Sequence, residues 1–123
     1  STGDGLLALF PMPSAGVGCA TEMRSTLHAT GVEIRAGLHV GEVELHDDGD
    51  ISGIAVNLAA RVEQSADDGS VWVSSTVRDM MMGTDVGFTP TGEHTLKGIE
   101  GTWQLFAIDR SPPTAPATQN RER

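Results

Sequence analysis

The sequence predicts an α+β fold in which helices cover a mainly antiparallel sheet. Three observations carry that expectation. Segments rich in β-branched residues alternate with segments of helical periodicity, in the order strand, helix, hairpin, helix, strand, helix, hairpin. Two connections, His46-Asp47-Asp48-Gly49 and Lys97 to Gly101, are short and contain glycine, as turns between antiparallel strands require. At 123 residues, 38% hydrophobic and 20% charged, the chain has apolar material for one small core and no more.

The elements follow in order. Leu6 to Phe10 is strand-like and follows Ser1-Thr2-Gly3-Asp4-Gly5 with no lead-in, as if the chain were entered partway through a fold. After Pro11 and Pro13, the residues Gly16, Ala20, Met23 and Leu27 recur at helical spacing, with Ser14 as the expected N-cap and Gly31 as the stop. Val32 to Leu45 reads as one long strand, bulged at Gly37 and Gly41, and Ile51 restarts the chain as a short strand after the Asp-Gly turn. From Ile54 to Gln64, Ala55, Leu58, Ala59 and Val62 form an apolar stripe, while Asn57 and Arg61 lie four apart on another face. Val71-Trp72-Val73 is a buried-type strand and Thr76 to Met82 a short helix opened by a Ser/Thr cap. Val86 to Leu96 and Trp103 to Ile108 close the fold as a strand pair. Residues 1–109 are expected to form the domain, and 110–123, rich in proline and polar residues, a disordered tail.

Composition narrows the function. A formal charge of -9 opposes contact with a phosphate backbone, so no nucleic-acid partner is expected. Cys19 is the single cysteine, which suits a reducing cytoplasm rather than a disulfide scaffold. The longest aliphatic and aromatic run, Leu6 to Phe10, is too short to span a bilayer, so this segment is expected to make no membrane contact. Several motifs reduce to structure. Gly16-Val17-Gly18-Cys19-Ala20-Thr21 starts like a dinucleotide fingerprint but lacks its third glycine and falls inside a predicted helix. The acids around Gly49 lack the spacing of a calcium loop, the four histidines never fall at metal-ligand spacing, and Met80-Met81-Met82 reads as core filler.

Two constellations remain. Gly3-Asp4-Gly5 sets a carboxylate between two glycines at a strand edge, where a hard cation or phosphate can approach, though a plain turn aspartate has the same pattern. In Asp50-Ile-Ser-Gly-Ile-Ala-Val-Asn57-Leu-Ala-Ala-Arg61 an acid precedes an asparagine by seven residues, and an arginine follows one helical turn later. Amide and guanidinium on one helix face can orient a hydroxyl and neutralise a phosphoryl oxygen; a solvated helix face is the alternative.

The ordered set Gly3-Asp4-Gly5, Ala36-Gly-Leu-His-Val-Gly-Glu-Val43, Asp50-Ile-Ser-Gly53, Val56-Asn-Leu-Ala-Ala-Arg61 and Leu96-Lys-Gly-Ile-Glu-Gly101 resembles the class III nucleotidyl cyclase catalytic domain, particularly bacterial adenylate cyclases. The resemblance spans about Ser1 to Ile108 and implies a palm-type, ferredoxin-like fold. It further implies conversion of ATP to 3′,5′-cyclic AMP and pyrophosphate at a site shared by two catalytic domains, hence a homodimer. By resemblance, Asp4 is a ligand of the catalytic metal, Mg2+ or Mn2+, and Asp50 selects the purine. Asn57 orients the ribose, Arg61 stabilises charge on the α-phosphate, and Lys97 is a phosphate candidate whose alternative role is to cap its turn. Two metal ions would activate the ribose 3′-hydroxyl and polarise the α-phosphoryl group.

The departures are equally specific. The family's first metal aspartate sits on an earlier strand that this sequence lacks, its purine-contacting lysine falls just before Ser1, and a second triphosphate lysine would fall at Ile99. The resemblance therefore implies a partial domain, with a catalytically inactive nucleotide-binding or regulatory dimerisation module as the alternative and a purely structural homodimer ranked last.

Overall fold

The computed structural model describes residues 5–110. Asp4 and the tail from Ser111 onward lie outside those residues. Nine elements follow one another: α1 (Pro13–His28), β1 (Ala36–Leu38), β2 (Glu44–Leu45), β3 (Ile51–Ser52), α2 (Ile54–Ser65), β4 (Val71–Ser74), α3 (Ser75–Met80), β5 (Phe88–Thr95) and β6 (Thr102–Ile108). Four strands form one sheet in the order β1-β4-β6-β5, and β2 and β3 form a separate two-stranded hairpin.

Among the described strands of this sheet only β1 and β4 run parallel; β4 with β6 and β5 with β6 are antiparallel. Parallel neighbours need a crossover, and the β2–β3 hairpin with α2 supplies it. β4 is buried along its whole length, because both faces of the sheet are covered. Its side chains alternate: Val71 and Val73 join Val17 of α1, Val77 of α3, Phe106 and Ile108 on one face, while Trp72 joins Leu58 and Val62 of α2 and Leu105 on the other. The result is the α+β architecture, mainly antiparallel, that the element order predicts.

α2 lies so close to β1 that Gly37 has no room for a side chain. A Cβ there would collide with the Glu63 backbone nitrogen and come within 2.8 Å of the Ala59 carbonyl oxygen. A Cβ at Gly41 would come within 2.8 Å of the Ala55 Cβ. Glycine is needed at Gly37 and Gly41 for close approach, and it is this approach that fixes α2 on the sheet.

Five expectations are corrected. Leu6 to Phe10 forms no strand; Leu6 is 92% exposed, and no described strand pairs with the segment to satisfy its backbone. The long strand expected over Val32 to Leu45 is two short strands, β1 and β2, since the chain leaves the sheet after Leu38 to enter the hairpin. The N-cap of α1 is Met12 rather than Ser14, with Pro13 at the first helical position, where its missing N–H costs nothing. The buried side of α1 holds Gly16, Val17 and Arg24, whereas Met23 is 40% exposed. Arg24 breaks the apolar periodicity of that face; its guanidinium donates to the carbonyl oxygens of Ile108 at 3.0 Å and Asp109 at 3.4 Å, closing the end of β6. Of the three consecutive methionines only Met81 fills the core, and Met80 and Met82 are exposed.

Candidate functional site

Of the expected site residues, Asn57 and Arg61 lie on α2, Asp50 in the hairpin before it, and Lys97 in the β5–β6 turn, whose Leu96 packs against α2. The hairpin is built as the sequence predicts: Gly49 adopts a φ of 88°, the His46 N–H donates to the Asp50 carbonyl at 2.9 Å, and β2 pairs with β3 through Glu44 with Ser52 and Leu45 with Ile51. Asp48 spends its carboxylate on the turn, accepting from the Asp50 N–H at 2.9 Å. The Asp50 carboxylate has no such duty and stands exposed just before β3.

Three residues after Asp50, Gly53 takes φ 132°, a conformation closed to residues with a side chain, and the chain turns directly into α2. The helix therefore begins four residues after Asp50. Ala55, Leu58 and Val62 are buried, which points the opposite face outward. Asn57 is exposed and Arg61 half-exposed on that face, one turn apart, with Cβ atoms about 5–6 Å from each other. The Asn57 side chain makes no hydrogen bond to any other described residue. The Arg61 Nη1 donates to the Gln64 Oε1 at 2.7 Å, and the Ser65 hydroxyl caps the Arg61 carbonyl at 3.0 Å.

Lys97 sits in the β5–β6 turn, exposed and without an ion pair among the described residues. Its neighbours Leu96 and Ile99 pack in the same apolar cluster as Leu58 and Val62 of α2. That packing sets Lys97 on the α2 side of the sheet, while no hydrogen bond or ion pair links it to Asp50, Asn57 or Arg61. Asp4 lies outside the described residues. Among the described residues no group of three or more His, Cys, Asp or Glu side chains could hold a metal ion.

Two features escaped the sequence reading. Ile54 is 63% exposed and shares its face with Asn57 and Arg61, three and seven residues on. Its signal was present, as a large aliphatic outside the buried stripe. His39 has a structural role: its Nδ1 lies 2.8 Å from the Ser74 hydroxyl, which also caps α3 by accepting from the Val77 N–H at 3.5 Å. Burial lowers the His39 pKa and favours the neutral ring.

Residues 16–110 match the sequence model of the adenylate and guanylate cyclase catalytic domain. The chain belongs to that family. This cyclase domain is 32% identical over 130 aligned positions to a Rhizobium meliloti (strain 1021) protein named "Putative adenylate cyclase 3", an alignment covering 94% of this chain and 22% of the relative. The crystal structure of an adenylate/guanylate cyclase/hydrolase from Silicibacter pomeroyi superposes with a TM-score of 0.73 at 30% identity, over 86% of this chain and 68% of the other. The adenylyl cyclase CyaB from P. aeruginosa shares the fold, with a TM-score of 0.59 at 23% identity over 79% of this chain and 56% of that one. The cyclase domain thus has the palm-type, ferredoxin-like fold of these neighbours, and it spans about a fifth to a third of the curated relatives it matches.

Proposed function

We propose that this domain belongs to an adenylate cyclase, converting ATP to 3′,5′-cyclic AMP and pyrophosphate. The observation that carries the reading is the geometry of hairpin and α2. The unengaged Asp50 carboxylate ends the hairpin turn, and the short segment through Gly53 joins it to α2, whose exposed side carries the unengaged Asn57 amide and the Arg61 guanidinium and whose other side is buried against the sheet.

Each group has a distinct task. The ionised Asp50 only accepts hydrogen bonds, so it suits the 6-amino donor of adenine and opposes the 6-keto acceptor of guanine. Asn57 supplies both a donor and acceptor and orients the ribose. The 3′-oxygen attacks the α-phosphorus, its proton leaves to a base or to solvent, and the bond from the α-phosphorus to the bridging oxygen of the β-phosphate breaks, releasing pyrophosphate. Arg61 meets the negative charge that gathers on the α-phosphoryl oxygens during that exchange. Lys97 is a secondary phosphate contact. Mg2+ or Mn2+ would neutralise the triphosphate; Asp4 is its proposed ligand, and the described residues alone do not form its site.

The site is proposed to be completed by a second copy of the domain. Leu45, 70% exposed on the hairpin, and Ile54, 63% exposed at the start of α2, flank Asp50 with apolar surface that a partner would cover. Residues 1–109 are proposed as the domain unit, and no helix of the described residues is long and apolar enough to cross a membrane.

Competition between ATP and GTP tests the purine assignment. The full-length gene product should prefer ATP by a wide margin, and Asp50→Ala should cut ATP use and relax the preference, because a carboxylate that the bound base shields from water discriminates strongly when it faces the wrong base edge. An unchanged ATP:GTP ratio in the variant would reduce Asp50 to a turn residue. Nucleotide binding with no cyclic product from the wild type would favour the inactive regulatory module instead.

A further inference from the structure

The last two turns of α2 carry two cations' partners in an ordered division. Arg35, just before β1, places its Nε 3.4 Å from the Glu63 carboxylate. Arg61 donates instead to the neutral amide oxygen of Gln64, at 2.7 Å. The nearest acid on the helix is therefore engaged elsewhere, and Arg61 is oriented without being neutralised.

That division has a chemical consequence. A guanidinium bound to a carboxylate has given up much of its field to that partner, and an arriving phosphoryl oxygen must displace it. A guanidinium held by an amide keeps its full charge while losing rotameric freedom, so less order has to be imposed when charge develops on the substrate. Gln64 is exposed and packs in no apolar cluster, so its side chain is not needed for the core.

We propose that Gln64 is a positioning residue for Arg61, presetting the guanidinium by a hydrogen bond from a neutral acceptor. This rests on the reading of Arg61 as the group that meets α-phosphoryl charge. Glutamine differs from glutamate here in the property that matters: both accept the hydrogen bond, and only glutamate cancels the charge.

The test uses Gln64→Leu and Gln64→Glu in the full-length gene product, each also combined with Arg61→Ala. Gln64→Leu should lower kcat for cyclic AMP formation by about tenfold with KM for ATP little changed, as expected when a reacting group is misplaced rather than removed. Gln64→Glu should fall at least as far despite retaining an acceptor. Neither substitution should reduce the residual rate further when Arg61 is already alanine, because the coupling runs through that side chain. Nitrogen-15 NMR of the Arg61 guanidinium supplies a readout independent of turnover, with restrained signals in the wild type and averaged ones in Gln64→Leu. Wild-type kcat in both single variants, equal losses in the Arg61→Ala background, or identical guanidinium signals would each overturn the proposal while leaving the role of Arg61 standing. Undiminished turnover in Arg61→Ala alone would overturn the reading of Arg61 and this inference with it.

Discussion

A guanidinium that meets charge only as it develops lowers a barrier without tightening the substrate. Arg61→Ala should therefore reduce kcat by on the order of a hundredfold or more, with ATP affinity less affected. Steady-state kinetics with an independent binding measurement separates the two, and a collapse of affinity at normal turnover would make Arg61 a ground-state contact. His39 carries a different expectation. Burial holds its pKa below the ordinary value of about 6.5, so below that pH the unfolded chain takes up a proton that the folded chain resists. Stability from the neutral ring is full above about pH 6.5 and declines as pH falls toward the lowered value. Urea midpoints measured between pH 7.5 and 5 should decline less steeply in His39→Gln, and parallel slopes would assign the acid sensitivity elsewhere. At this scale Asp50, Asn57 and Arg61 are legible as candidates because type and spacing carry the pattern, and the structure leaves Asp50 and Asn57 exposed and Arg61 half-exposed. The hydrogen bond from Arg61 to Gln64 is not legible, since it depends on which way Arg61 turns.

Elements were legible where local chemistry dictates them. The Asp-Gly turn requires positive φ, and Gly49 supplies it; α2 shows a clean apolar stripe, and Ala55, Leu58 and Val62 are buried as read. They were illegible where tertiary context decides. Val32, Ile34, Val40 and Val43 spread β-branched residues over Val32 to Leu45, yet only Ala36–Leu38 finds a neighbour in the main sheet, because the chain leaves it to build the hairpin. Arg24 is buried on a face of α1 whose periodicity predicts apolar residues, because the Ile108 and Asp109 carbonyls accept from its two terminal nitrogens, while its Nε has no partner among the described residues. The contact between α2 and β1 yields a prediction of its own. Gly37→Ala forces a methyl group against α2 backbone and should destabilise by about 1–3 kcal/mol, as overpacking does. Chemical denaturation reads this directly, and an unchanged midpoint would mean that α2 can move away from the strand freely.

For the whole molecule, charge and surface pull in different directions. The formal charge of -9 favours separation, while Leu45 and Ile54 expose apolar surface beside Asp50. Sedimentation equilibrium should find self-association that Leu45→Asp combined with Ile54→Asp weakens; a wild-type monomer at high concentration, or an unaffected mass in the variant, would contradict a shared site on that face. Family membership and architecture were readable from five short motifs in order, because their spacing reflects a fold that must bring hairpin, α2 and the β5–β6 turn to one side of the sheet. The most direct measurement is the product itself. Incubated with ATP and Mg2+ or Mn2+, the full-length gene product should release cyclic AMP and pyrophosphate in equal amounts, and Arg61→Ala should nearly abolish both; wild-type protein that binds ATP yet forms no cyclic AMP with either metal would contradict the assignment.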